Sequence, residues 1–171
     1  PATKSKIAFV KPYTTVSSLK NNLATDTSTK TKLDAGVDIK IGITKSLNAD
    51  ITYNPDFSNA DVDTEVTNIT RFDISLPEQR EFFIENGDVF SNFGSYSIRP
   101  FFSRRIGLTA PIIYGARVTG NVTDDLRIGI MNTQTRKGDA TDAQNSTIAA
   151  FNYKVLDRSQ LRGLFVNRQE T

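Results

Sequence analysis

Strict alternation of apolar and polar residues from Leu33 to Tyr53 constrains this chain most, because a period of two residues is typical of a β-strand. The alternation breaks at residues 44–46 and then resumes. We therefore predict a hairpin of two antiparallel strands, each with one apolar and one polar face. The apolar face would carry Ala35, Val37, Ile39, Ile41, Leu47, Ala49 and Ile51, and the polar face would carry Asp38, Lys40 and Asp50.

The same alternation predicts two further hairpins downstream. One joins a strand at residues 112–119 to a strand at residues 126–130, with a turn at residues 120–125. The other spans Ala149 to Asn167 and turns at residues 157–159. Three hairpins with a period of two predict an all-β fold.

A further strand is predicted from Lys4 to Tyr13, before the first hairpin. The segments at residues 14–32 and 133–147 are rich in Thr, Ser, Asn, Asp and Lys, which predicts long polar connections. Short turns at one end of the strands and long loops at the other are typical of outer-membrane barrels. A soluble β-sandwich interaction module gives the same alternation and stays as an alternative.

The side chains on the polar faces favour a barrel with a water-filled or protein-plugged lumen. Charges lie near strand middles and are mixed with glycines. Aromatic residues near predicted strand ends suit the lipid interface of such a barrel. The charges are Asp38, Lys40, Asp50, Arg117 and Arg127, and the aromatic residues are Tyr53, Tyr114, Phe151 and Tyr153.

Residues 54–107 do not follow the alternation and contain most of the 11 phenylalanines of the chain. Exposing so many phenylalanines to water would be costly, so we expect this segment to fold against something apolar. The fold class predicted from sequence is an all-β, antiparallel, up-and-down β-barrel segment of the outer-membrane type. Residues 1–171 would form a single barrel portion, and residues 54–107 an ordered insertion into its lumen or mouth.

Composition limits the chemistry available to the chain. It contains neither Cys nor His, which removes thiol nucleophiles, imidazole bases and the usual zinc ligands. Lys and Arg number 21 against 19 Asp and Glu, too small an excess to indicate nucleic-acid binding. We expect no catalytic residue, no cofactor and no metal site. Because the chain opens at Pro1, we also expect a processed product or a piece of a longer protein.

The charges of the insertion allow three interpretations. The first is a structural charge network, since buried acids are more often paired with cations than catalytic. The second is a carbohydrate-active enzyme or sugar-binding β-domain that uses Asp56, Glu78 and Glu85, because glycosidases need two carboxylates. The third is a cation-binding loop with Asp56, Asp61 and Asp63. The network would consist of Arg71, Glu78, Arg80, Glu85, Arg104 and Arg105.

Several blocks of sequence, in order, resemble one known family. It is an uncharacterised outer-membrane β-barrel domain family, common in Bacteroidota, that often follows a family-nine-like carbohydrate-binding module. The blocks are residues 35–58, 68–72, 77–85, 102–107, 115–120 and 152–168. The resemblance implies the first portion of a longer barrel in the outer membrane of a Gram-negative bacterium. The resemblance implies architecture and location only. Our leading hypothesis is a non-enzymatic barrel segment with a role in transport, export or surface assembly. We expect outer-membrane lipid as its partner, with other outer-membrane proteins or lipoproteins as further partners.

Overall fold

In the computed structural model, the described residues are 8–20, 29–55, 77–95, 98–108, 110–138, 141–156 and 158–170. They contain seven strands, which form one antiparallel sheet in which neighbours in space are neighbours in sequence. The strands are β1 (Ala8–Lys20), β2 (Thr29–Gly42), β3 (Leu47–Tyr53), β4 (Ile112–Asn121), β5 (Leu126–Thr135), β6 (Gln144–Leu156) and β7 (Ser159–Glu170). The all-β, up-and-down architecture is confirmed. The sheet is open, with β1 and β7 as its edges, and is not closed into a barrel.

The three predicted hairpins are present as β2–β3, β4–β5 and β6–β7. Their turns lie at one end of the sheet, between Gly42 and Leu47, Asn121 and Leu126, and Leu156 and Ser159. The longer connections β1–β2, β3–β4 and β5–β6 lie at the opposite end, here called the long-connection end. The predicted asymmetry of short turns and long connections is therefore confirmed.

Two predicted connections were too long. β1 continues to Lys20, opposite Thr29 at the start of β2, so much of residues 14–32 is strand. Likewise β5 runs to Thr135 and β6 begins at Gln144. Threonine is β-branched and favours strands, and polar side chains do not prevent backbone pairing. For the predicted strand from Lys4, residues 4–7 lie outside the described part of the chain.

The connection from β3 to β4 carries the only helices of the described residues. They are α1 (Glu81–Ile84), α2 (Asp88–Ser91) and a 3₁₀ turn at Ser103–Arg105. None of these helices is long and apolar enough to cross a membrane. The segment packs on one face of the sheet, and we call its described residues, 77–95 and 98–108, the insertion.

Alternation gives the sheet two different faces. The covered face, which bears the insertion, carries Asp50, Thr52 and Arg117, all buried. The opposite side, which we call the open face, carries the aliphatic residues of β2 and β3 as predicted, with Ile39 opposite Ile51. Its side chains are only partly buried. Ile51, Ile130 and Phe165 are 43%, 50% and 59% exposed.

Candidate functional site

The insertion is attached to the covered face by an apolar core. Phe83, Val89, Phe90 and Ile106 of the insertion are buried, and they belong to one cluster with residues of the strands. Burying a phenylalanine side chain contributes on the order of 1.5–3 kcal/mol, so this cluster holds the insertion firmly. The strand residues of the cluster are Ile112, Met131, Ile148 and Ala150.

Two glycines of the covered face provide space for this packing. A Cβ atom added at Gly129 would lie 2.5 Å from Val89 Cγ1 and 2.8 Å from Phe90 Cζ. One added at Gly115 would lie 2.8 Å from Phe82 Cζ. These distances are shorter than van der Waals contact, so side chains of the insertion fill the space that a larger strand residue would need.

A buried arginine connects two strands with the insertion. Arg117 on β4 donates from Nε to Asp50 Oδ2 on β3 at 3.0 Å and from Nη1 to the backbone carbonyl of Glu85 at 2.6 Å. Its guanidinium also lies 5.2 Å from the centre of the Phe82 ring. A buried charge needs partners of this kind, because an unpaired one would be strongly destabilising.

Three acids of the insertion form salt bridges with bases from three different strands. Glu81 meets Lys11 of β1 at 3.4 Å, and Asp88 meets Arg127 of β5 at 2.6 Å. Glu85 pairs with Lys40 of β2. The acids are four and three residues apart in the segment that contains α1 and α2, so this segment crosses the sheet from β1 through β2 to β5. Since these pairs are largely exposed, each contributes little to stability by itself.

One charge pair lies entirely within the insertion. Arg80 binds Glu78 through two hydrogen bonds, Nε to Oε1 at 2.8 Å and Nη2 to Oε2 at 2.7 Å. Ser103 also donates to Glu78 Oε2, and Arg80 donates to the carbonyl of Ile106. Burial alone would raise the pKa of Glu78, but the hydrogen bonds from Arg80 and Ser103 and the charge of Arg80 outweigh it and lower the pKa below 4.5.

A cavity of about 520 Å³ lies beside this pair, between the insertion and the sheet. Its carboxylates are Glu78 and Asp88, and each is bound to an arginine, Arg80 or Arg127. A general acid has to be protonated near neutral pH, which the lowered pKa of Glu78 opposes. The geometry therefore favours structural roles for both carboxylates.

Comparison with known proteins identifies the family. Residues 6–117 match the family described as Domain of unknown function (DUF5916). The chain belongs to this family. No curated protein and no solved structure matches the chain. The DUF5916 match extends from β1 through the insertion into β4, so it includes Arg117 and the Arg80–Glu78 pair, whereas Arg127, the partner of Asp88, lies beyond it. The match supports the expected uncharacterised domain family, while the bacterial group and the outer-membrane context stay predictions.

Within DUF5916, the structure brings together some of the residues that the sequence suggested. Glu78 lies against Arg80, whereas the side chain of Glu85 meets Lys40. Arg104 donates to the carbonyl of Pro77, and Arg105 is exposed. Arg71, Asp56, Asp61 and Asp63 lie outside the described residues. Among the residues that are described, no group of three or more acidic side chains could hold a metal ion.

Sequence reasoning about the insertion missed the strand cations that it contacts. Lys40, Arg117 and Arg127 were predicted to lie on the polar face, but not to pair with residues 81–88. The available signal was their position, since each is a charge at a strand position on the face opposite the aliphatic residues. When that face is buried, such a charge needs a partner from the segment that covers it.

Proposed function

We propose that this chain is part of an outer-membrane β-barrel of a Gram-negative bacterium, with a role in transport, export or surface assembly. In this proposal the open face contacts lipid, and the insertion lies in the lumen. The chain would be one portion of a larger barrel, to which further strands pair at the edges β1 and β7. The observation that carries the proposal is the outline of the apolar area on the open face.

The apolar area can be followed from strand to strand by the register. Residues directly opposite one another form a level, and the level of Ile41 runs through Ala49, Val118, Ile130, Ala149 and Phe165. Toward the long-connection end, the open face of β2 stays apolar as far as Leu33. On β5, β6 and β7 it ends at the level of Ile41, because Asn132, Thr147 and Asn167 follow.

The boundary of the apolar area is therefore oblique to the strands. From β2 to β5 it moves by eight residues, from the level of Leu33 to that of Ile41, and from β5 to β7 it stays at that level. Averaged over the five strand spacings from β2 to β7, the shift is about 26 Å along the strands and about 24 Å across them, a mean angle of about 45–50°. On β3 and β4 the boundary is intermediate, at the paired residues Tyr53 and Tyr114.

A tilted transmembrane sheet explains this oblique boundary. Strands of outer-membrane barrels are tilted by about 35–45°, so a flat bilayer meets each successive strand at a different residue. On β2 the apolar stretch from Leu33 to Ile41 is nine residues long, and a tilted strand needs about 9–11 to cross. Tyr53 and Tyr114 lie at the boundary, where amphipathic rings are favoured.

The exposure of the open face also supports lipid as its environment. Apolar side chains are contiguous over all seven strands, and none of the described residues outside the sheet covers them. Patches of this size are unusual on the surface of soluble monomers. The soluble sandwich alternative would require a second sheet over this face. The insertion, by contrast, lies against the covered face from β1 to β6, so a transported solute would need movement of the insertion or a path along further strands of the barrel.

The absence of native cysteine allows a direct test with single cysteines. We would place a fluorophore at Val37→Cys and at Asn145→Cys in the full chain, which lie at the same level of the open face. In lipid vesicles, acyl-chain nitroxides should quench the label at position 37 strongly and the label at position 145 weakly. Ile130→Cys and Asn132→Cys form a matched pair on β5 and should differ in the same way.

Two results would contradict the proposal. Equal quenching at positions 37 and 145 would mean that the apolar boundary does not follow a membrane. Recovery of the unlabelled full chain in the aqueous phase without detergent would favour the soluble sandwich.

A further inference from the structure

Six uncharged polar residues form a compact block on the open face, at the long-connection end of β5, β6 and β7. They occupy two adjacent levels. One level contains Gln134, Asn145 and Gln169, and the other contains Asn132, Thr147 and Asn167. Toward the long-connection end, the block directly follows the apolar residues Ile130, Ala149 and Phe165. With strands tilted by about 45–50°, it would extend about 5–10 Å beyond the apolar area along the membrane normal, at the depth of lipid headgroups.

Side-chain hydrogen bonds hold the centre of this amide block in place. Asn132 Nδ2 donates to Asn145 Oδ1 at 2.9 Å and to Thr147 Oγ1 at 2.8 Å. Asn145 Nδ2 donates in turn to Gln134 Oε1 at 3.0 Å. At its β7 side, the amides of Asn167 and Gln169 form no side-chain hydrogen bond within the described chain. The hydrogen-bonded amides of β5 and β6 therefore lie beside two amides of β7 whose hydrogen-bond donors and acceptors are available to a ligand.

The chemistry of the block indicates the kind of headgroup that it fits. Anionic headgroups are typically bound by Lys and Arg, but the block has no charged member, and Arg168 lies on the covered face. Amides match the neutral hydroxyl groups of a sugar, which both donate and accept hydrogen bonds. Tyr114, at the same level as Gln134, is 41% exposed and offers a ring on which the apolar side of a sugar can lie.

We propose that the amide block binds the neutral sugar headgroup of a membrane glycolipid beside the barrel. This inference rests on the proposed function, because it needs the open face in lipid. The glycolipid would lie with its chains along Ile130 and Phe165 and its sugar against Asn145, Asn167 and Gln169. Continuity between the apolar area and the amide block favours a glycolipid over a soluble sugar.

The test uses the full chain in phosphatidylcholine vesicles that contain fluorescent digalactosyl diacylglycerol as the probe. The double variant Asn167→Leu/Gln169→Leu removes two amides that form no internal hydrogen bond, so the sheet should fold normally. We expect it to bind the probe about tenfold more weakly than the unaltered chain. Gln160→Leu, on the opposite face of the same strand, is the matched control and should bind as the unaltered chain does.

Each other outcome has a definite meaning. Equal binding by the double variant and the unaltered chain would overturn the inference. Stronger binding of fluorescent phosphatidylglycerol than of the sugar lipid would overturn it in favour of an anionic headgroup. Flotation of the chains with plain phosphatidylcholine vesicles tests the proposed function separately. Failure to float would contradict the membrane location, and with it the glycolipid site.

Discussion

The guanidinium of Arg117 lies between Asp50, 3.0 Å away across the β3–β4 pair, and the backbone carbonyl of Glu85, 2.6 Å away in the insertion. The side chain of Arg117 is 2% exposed, and that of Asp50 is 12% exposed. This one cation therefore joins the sheet to the insertion at a place from which water is nearly excluded.

Removing Arg117 should be among the most destabilising single changes in the chain. Arg117→Ala leaves the Asp50 carboxylate buried without its cation, at a cost of about 3–5 kcal/mol in free energy of unfolding. The double variant Asp50→Asn/Arg117→Met removes both charges and should cost less than Arg117→Ala alone. Denaturant unfolding of the three proteins measures the difference. A double variant that is as unstable as Arg117→Ala would argue against a coupled pair.

Acid should weaken the insertion through Glu78. The pKa of Glu78 is lower in the folded chain than its usual 4.5, so its stabilising contribution is complete above that value. The contribution is lost as the pH falls from about 4.5 through the lower folded pKa, because the carboxyl group then takes up a proton. We expect unfolding measured between pH 7 and pH 3 to show this loss, and Glu78→Gln to be less stable at pH 7 with a smaller loss on acidification.

The highly exposed Glu81 provides the control for Glu78, since its carboxylate is 86% exposed and meets Lys11 at 3.4 Å. Glu81→Gln should keep the acid-dependent loss of the unaltered chain. If Glu78→Gln loses as much stability between pH 7 and pH 3 as the unaltered chain does, the pair with Arg80 is not the source of the effect.

Enlarging Gly129 should displace α2 from the sheet. Gly129→Val places methyl groups where Val89 and Phe90 now pack, and overpacking of this kind costs about 1–3 kcal/mol. The insertion contains several arginines, so limited trypsin digestion should cut it faster in this variant. Ala116→Val enlarges an exposed residue of the open face and should leave the digestion rate unchanged. Equal digestion rates for both variants would contradict the packing of α2 against Gly129.

An arginine within the apolar area should be costly in lipid. Val37→Arg places a charge at the middle of the apolar stretch of β2 and should lower the free energy of unfolding by about 2–4 kcal/mol, because lipid does not solvate the charge. Gln169→Arg, at the same level on β7, lies beyond the boundary and should cost about 0–1 kcal/mol. Unfolding in vesicles gives both values. Similar costs at the two positions would place the boundary elsewhere.

Much of the sheet could be predicted because each strand carries its own signal. The alternation around Ile39 and Ile51 predicted which side chains share a face, and the turns at the hairpins were marked by polar residues. Strand ends were predicted less well. Lys20 and Thr135 are in strands although their neighbourhoods are polar, since backbone pairing with Thr29 or with the start of β6 does not depend on side-chain polarity.

The partners of three insertion acids, Glu81, Glu85 and Asp88, depended on contacts between distant segments. Glu78 and Arg80 are two residues apart, so their pairing could be anticipated from local sequence. Glu85 and Lys40 are 45 residues apart, and they meet only because the insertion crosses β2 at that point. Charge alone could not select Lys40 as the partner of Glu85, because the strands and the insertion contain several other Lys and Arg residues.

The sequence by itself determined the two faces of the sheet, because successive side chains of any extended strand must point to opposite sides. Only the tertiary structure decided which face the insertion covers and where the apolar area of the open face ends on each strand. Both depend on cross-strand register, which places Ile130 level with Ile41 and Arg117 opposite Asp50. Register arises from backbone pairing between strands far apart in the chain, and no single strand contains that information.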